Sequence, residues 1–484
     1  MKNLRTVICV AVLAALPRFA AAEVPEALRD AARKAVVANP EVQAGWHAFR
    51  AAAEEQGAAR GRYFPHVDLI AGAGRETLKR PGQSSDDFNH RRVSLSLNQM
   101  VYDGFLTRSE VSRLGYAKLT RYYELRDVSE TAALEALRAY SDVLRYRDLT
   151  RLAQENYVQH KQIHDQIAER AGAGVGRRVD LEQAAGRLAL AESNLLTEVS
   201  NLHDVSARYL RIVGEAPPAQ AQRFAPDTVV GAIPPTVRET LRAAFVTSPS
   251  LNAAVENVRA GQAQIESRKA AFHPRVDVRA HRGVDHNFEG LDGRSRDGAV
   301  EAVLSYNLSR GGADQARLRQ AAETLDLAKD LREKACRDLR QTLSIAYNDV
   351  RRLTEQLVYL DQHQLSIEKA REAYRRQFDI GQRTLLDLLD TENEYFEARR
   401  AYVNAQYDRI IAQARTLTGM GQLMGALGVA REDLPAPEEI GQDRSGIDPQ
   451  TVCPPEAPAI VEVDKEALLS EAIRAVGGTT RSGN

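Results

Sequence analysis

AYSDVLR (139–145) and AYNDVRR (346–352) share five of seven positions at an offset of 207 residues, so the chain carries one phrase twice. The same offset places Gly104 on Gly311, Gly174 on Gly381, Asp180 on Asp387 and Leu181 on Leu388. An offset of 209 places Pro40 on Pro249 and Pro65 on Pro274, and the change of register falls in segments 79–91 and 286–298, which read as loops. Repetition on this scale means one structural plan built twice. Each half predicts two short helices, a strand pair, a very long helix, a turn and another helix.

Proline spacing supports the long helices, because none occurs between Pro81 and Pro217 or between Pro274 and Pro435. Leu339, Leu343, Ala346, Val350, Leu353, Leu357 and Leu360 alternate by four and three, a coiled-coil seam. Helices over 105–172 and 313–380 would each be about 100 Å long, followed by helices over 178–214 and 384–428.

The strand segments have period two instead. Val93, Leu95 and Leu97 alternate with Ser94, Ser96 and Asn98; Val276, Val278 and Ala280 alternate with Asp277, Arg279 and His281. Val67, Leu69, Ala71 and Ala73 repeat the pattern, as do Val300, Ala302, Leu304, Tyr306 and Leu308. Strands are expected near 64–76, 91–101, 274–285 and 298–309, each long enough to cross a bilayer at a tilt. Tyr63, Phe64, Tyr102, Phe105 and Phe272 flank them, where an interfacial aromatic girdle would lie. Four strands cannot close a barrel, and an open edge in lipid leaves backbone groups unpaired. Three copies of four strands make a twelve-strand barrel, within the range of outer-membrane barrels. The fold class expected is therefore mainly α with membrane β, internally duplicated, in a homotrimer.

The remaining composition narrows the function. Lys2 and Arg5, the apolar run 7–16 and Ala20–Ala22 read as a signal peptide over 1–22, and Glu23 in place of Cys gives no support for a lipid anchor. No later apolar run reaches the eighteen or so residues of a membrane helix. A net charge of -1 with interspersed signs argues against nucleic acid. Cys336 and Cys453 read as two free thiols, with a bridge as the alternative. His160 and His164 have metal-ligand spacing but no third ligand, and read as a solvated helix face; no metal or cofactor is expected. The acidic, glycine-rich segment 285–297 reads as an exposed loop, not a calcium site. No nucleophile or phosphate-binding motif points to an enzyme. A linker is expected over 215–235 and a poorly ordered, Pro-rich tail over 430–484, with a short helix around 468–476.

With both repeats in view the mature chain to about Val429 resembles the TolC family, most specifically in FDIGQRTLLDLLDTENEYFEARRAYVNAQYD (378–408). The helix-to-strand joins at Pro65 and Pro274 and the strand-to-helix joins at Gly104, Gly311 and Gly312 agree with it. The resemblance implies a trimeric duct through the outer membrane lipid into a periplasmic helical barrel. It would dock on a periplasmic adaptor and on an inner-membrane ABC transporter or proton-driven efflux pump. Residues 385–408 lean toward the branch that serves type I secretion, with multidrug or metal efflux as the alternative. A structural coiled coil is disfavoured by the strand pairs. The resemblance places Asp387 and Asp390 in an acidic ring at the periplasmic entrance, where clustered carboxylates favour cations and raise one another's pKa. On spacing alone the two aspartates are a solvated face. It further implies a closing link from Arg383 to Asp180. Phe378 and Val179 depart from the family's hydrogen-bonding residues, and Gly174 and Gly381 are turn residues.

Overall fold

A computed structural model describes residues 24–82, 85–224, 233–443, 453–459 and 463–479. The expected signal peptide at 1–22, part of the 215–235 linker, and part of the tail with Pro449 lie outside the described residues.

Each half opens on a helix pair broken by proline. In the first half α1 (Glu26–Ala38) is followed by α2 (Pro40–Gly61), which starts with Pro40 in its first turn and an Asn39 cap accepting from the Glu41 N–H at 2.9 Å. The sheet then forms from β1 (His66–Leu78) and β2 (Asp86–Tyr102), after which come α3 (Leu106–Gly172) and α4 (Arg178–Val213). The second half repeats this as α5 (Val237–Thr247), α6 (Pro249–Lys269), β3 (Arg275–His286), β4 (Arg294–Ser305), α7 (Ala313–Asp379) and α8 (Leu385–Gly419), with a short α9 (Leu423–Ala426) and a terminal α10 (Lys465–Thr479).

All strand pairs are antiparallel in the order β1-β2-β3-β4, so the β2–β3 ladder joins the halves and β1 and β4 are open edges. The register aligns Val67, Leu97, Ala280 and Val300 in one row and Asp68, Ser96, His281 and Ala299 in the next. One face is thus apolar and exposed, through Val67, Leu69, Leu95 and Val300, while the other carries polar pairs such as His281–Asp297. Tyr63, Phe64, Phe105 and Phe272 are exposed where sheet meets helix.

The strand limits differ from expectation most at the start of β2 and at both ends of β4, which begins at Arg294, inside the segment expected as a loop. β2 begins at Asp86, because its polar start is paired across the sheet by side chains, Asp87 with Arg75 and Thr77 and His90 with Glu76, which apolar alternation cannot reveal. β4 ends at Ser305, opposite Arg275; the next position on the partner strand is Pro274, which has no N–H, so Tyr306 and Leu308 leave the ladder. Asp285 is not in a loop. It lies buried in β3, 2.7 Å from Arg92 Nε and 3.1 Å from His90 Nε2.

Below the sheet the helices lie side by side, α2–α3–α6–α7 near the strands and α4–α3–α8–α7 farther away. The edges of this layer are thus β1, α2 and α4 on one side, and β4 and α7 on the other. Leu339, Leu343, Ala346, Leu353 and Leu357 of the seam are buried, with Val350 and Leu360 partly so. Among the described residues no helix is long and apolar enough to cross a membrane.

The tail corrects the sequence reading. Leu434 and Ile440 pack on Val42, Phe49 and Tyr122, whose hydroxyl donates to the Pro435 carbonyl at 3.0 Å. Arg431 stacks over Trp46, and the Arg259 guanidinium donates to the Asp443 carbonyl. Cys453 is buried and disulfide-bonded to Cys336, so these are not free thiols. Lys465 then donates to the Tyr359 hydroxyl at 2.6 Å, and the helix runs over 465–479 rather than 468–476. The anchors are single residues set far apart in a proline-rich acidic segment, whose average composition reads as unfolded.

The repeat-related joins differ in tightness. A Cβ at Gly104 (φ 67°) would stand 2.5 Å from the Cβ of His273, whereas one at Gly311 (φ 60°) would meet nothing within 4 Å. Gly104→Ala is expected to cost about 2–3 kcal/mol and Gly311→Ala about 1 kcal/mol. Equal urea midpoints for the two variants, followed by far-UV circular dichroism in detergent, would contradict this.

Candidate functional site

The end of the helical layer remote from the sheet is made of two reversals, 173–177 between α3 and α4 and 380–384 between α7 and α8. Each chain reversal needs a left-handed residue, supplied by Gly174 (φ 76°) and Gly381 (φ 74°). The Val175 N–H returns to the Arg170 carbonyl and the Gln382 N–H to the Gln377 carbonyl, which satisfies the last helical acceptors. The reversals are level with each other, since Phe378, Leu385, Leu388 and Leu389 of the second pack with Ile163, Ile167 and Ala184 of the first. Phe378 is buried there, with the Arg170 guanidinium 5.4 Å over its ring. Where a hydroxyl would bond, this chain stacks a cation on an aromatic face.

Asp387 sits at the third position of α8 in a reciprocal cap. The Thr384 hydroxyl and N–H donate to its carboxylate at 2.9 and 3.1 Å, and the Asp387 N–H returns to the Thr384 hydroxyl. The hydrogen bond from the Thr384 hydroxyl, then that from its N–H, hold this carboxyl below the usual range, helped by Arg383. Within one chain its pKa therefore moves down, opposite to the direction expected for crowded carboxylates. Asp390 is paired with Arg187 of α4, a partner the sequence reading did not name.

Arg383 and Asp180 are not joined within one chain. Arg383 Nε donates to Gln377 Oε1 at 3.0 Å, its guanidinium lies 4.2 Å over Tyr374, and Asp387 is 3.9 Å away. Residues on its own hairpin thus occupy it. Asp180 lies half-buried in the first turn of α4.

Above the tip, a ladder of ion pairs that sequence reading missed ties α8 to its neighbours. Glu392, buried, accepts from Arg371 at 2.7 Å and Arg375 at 2.9 Å, and Arg375 also reaches Gln159 of α3. Glu155 of α3 pairs with Arg399, Glu198 of α4 with Arg400, and Arg145 of α3 with Asp408. A burial pattern was the only available signal, since all these side chains read as surface charges in one dimension. His160 lies in the same zone and is buried rather than solvated. Its Nδ1 meets the Asn156 carbonyl at 2.9 Å and burial pushes its pKa down. His164 instead contacts Asp165, so the pair does not form a common ligand face.

Comparison with known proteins agrees with this architecture. The outer membrane efflux protein family matches residues 31–215 and 240–422, one block per repeat. Outer membrane protein TolC of Escherichia coli (strain K12) is 24% identical over 425 residues, covering 84% of this chain and 85% of that protein. The alkaline protease secretion protein AprF of Pseudomonas aeruginosa is 26% identical over 413 residues, covering 80% and 83%. A crystal structure of a membrane protein from Pseudomonas aeruginosa superposes with a TM-score of 0.75 at 19% identity, over 83% of this chain and 94% of that one. The duplicated helices, the four-strand sheet with its exposed apolar face, and the family match across both repeats lead to one conclusion: the chain belongs to the outer membrane efflux protein family and is a channel protein of the Gram-negative outer membrane.

Proposed function

We propose that three copies of this chain form a passive duct, without enzymatic activity, through which an inner-membrane machine and a periplasmic adaptor export protein by type I secretion. The observation that carries the duct is the pair of open edges, β1 and β4, on a sheet whose apolar face is exposed. In lipid these edges must pair with other copies, and twelve strands from three chains enclose a pore. The secretion assignment is supported by the likeness to AprF, an alkaline protease secretion protein, and by the sequence of α8. Drug or metal efflux is the second reading, favoured by the family's description as efflux proteins.

In this reading the tip is the periplasmic entrance. Because α7 is one edge of the layer and α4 the other, Arg383 stands on the side that meets the next copy's α4 and its Asp180. The closing link would then form between chains. Asp387 and Asp390 supply the acidic ring, with Asp390 partly neutralised by Arg187.

Two measurements test this. Deleting the gene should abolish one large secreted protein and leave drug and metal tolerance unchanged; the converse result would support efflux. In planar bilayers the purified protein should give small cation-selective currents. Asp387→Ala with Asp390→Ala should remove the selectivity, and Arg383→Ser should raise resting conductance severalfold. A non-conducting particle would contradict the duct, and an unchanged Arg383→Ser current would contradict the closing link.

A further inference from the structure

We propose that α10 is a clasp between subunits, packing its apolar face on α4 of the next copy. The inference rests on the trimeric reading above. Leu468, Leu469 and Ile473 are each more than half exposed and lie on one face of the helix, which Lys465 and Glu466 share in the first turn, while Glu471 and Arg474 stand on the opposite side. A stripe of this kind on a short helix has little stability alone and needs a surface to cover it.

Where α10 is held decides which surface. The Cys336–Cys453 disulfide fixes the strap to α7, and Lys465 is bonded to Tyr359 of α7 and lies 4.1 Å over its ring. The helix therefore starts on α7, which is the edge of the layer toward the tip. In a closed trimer that edge meets the opposite edge of another copy, because β4 in the same repeat must pair with the next β1.

Height selects the contact. Tyr359 stands about 30 Å from the tip end of α7, and Val199 stands the same distance from the tip end of α4, at about 1.5 Å per residue. The two tips are level. Leu190, Leu196 and Val199 are exposed on α4 within this zone, beside Val358 and Tyr359 exposed on α7. Apolar side chains left bare on both edges at one height, with an apolar helix tethered to one of them, describe a shared seam. The strap from Arg431 to α10 would thus link both repeats of its own chain and then the neighbouring chain.

The test uses the full-length protein in detergent with its native disulfide retained. Leu469→Cys with Leu196→Cys, oxidised with copper phenanthroline, should convert most of the protein to covalent two-chain and three-chain species that collapse on reduction, while each single variant stays at one chain. Leu468→Ser, Leu469→Ser and Ile473→Ser together should shorten the trimer's lifetime in SDS about tenfold or more with helical content unchanged. A particle with trimer mass whose double variant stays at one chain, or whose triple variant is as long-lived as wild type, overturns the clasp and leaves the duct standing. A monomeric mass before any substitution overturns the trimer itself.

Discussion

Reducing the Cys336–Cys453 disulfide is expected to lower the stability of the purified protein by about 4 kcal/mol. The bridge spans a sequence separation of 117 residues and closes α8 and most of α7 into a loop. Chain-entropy arguments give about 4–5 kcal/mol for a loop of that size, through restriction of the unfolded state. A second contribution has the same sign. Cys453 is buried with Leu241, Phe245, Leu251, Leu339 and Leu343, and freeing it lets the strap leave that cluster. Cys336→Ser and Cys453→Ser should each reproduce the loss, and the double variant should lose no more than either single, because all three remove one bond. Urea unfolding followed by far-UV circular dichroism, with and without dithiothreitol, measures this. The reductant should shift wild type and leave both variants unmoved; a wild-type midpoint insensitive to reductant would refute the argument.

How much of this molecule could be read in one dimension depends on the distance over which each interaction acts. The duplication, the long helices and the period-two strands were legible because each is a local pattern repeated many times. Leu343 and Leu353 announce a buried seam through spacing alone, while through backbone chemistry Pro40 and Pro249 mark helix breaks and Gly174 and Gly381 mark chain reversals. Asp285 was misread because its partners, His90 and Arg92, lie almost two hundred residues earlier, and an acidic residue near glycines looks like loop until they are in place. Long separation also hid the Arg187–Asp390 pair and the disulfide, and Glu392 was hidden because its partners Arg371 and Arg375 lie across the α7–α8 hairpin. At the tip, Phe378, Asp387 and Gly381 could be placed from sequence pattern and family likeness. What holds them could not: the Thr384 cap, the Arg170 stacking and the Arg187 pair are contacts of geometry. The tail failed most completely, since a few buried anchors suffice to dock a segment whose average composition argues for disorder.

Glu130 yields a prediction whose sign runs against the usual behaviour of acidic side chains. It is buried in α3, 1% exposed, and accepts from the Met424 N–H of α9 at 3.2 Å. Burial pushes its pKa up from 4.5 to about 7, against the lowering effect of the α9 backbone N–H groups and of Arg126, while Asp127 adds to the rise. Below pH 4.5 the folded and unfolded chains both carry the proton, and the group leaves stability unchanged. Between pH 4.5 and 7 the unfolded chain ionises while the folded one resists, so stability falls through this window and is lower by about 3 kcal/mol above it. Glu130→Gln keeps a carbonyl acceptor for Met424 and cannot ionise. The variant should therefore match wild type near pH 4.5 and exceed it by about 3 kcal/mol at pH 8. The quantity to follow is the difference between the two unfolding free energies across pH. Other titrating groups, Asp127 among them, are common to both proteins and cancel to first order. A difference that does not change with pH would mean that Glu130 reaches solvent in the folded protein. A difference that falls as pH rises would mean that its carboxylate is stabilised by Arg126 and the α9 N–H groups more than burial disfavours it.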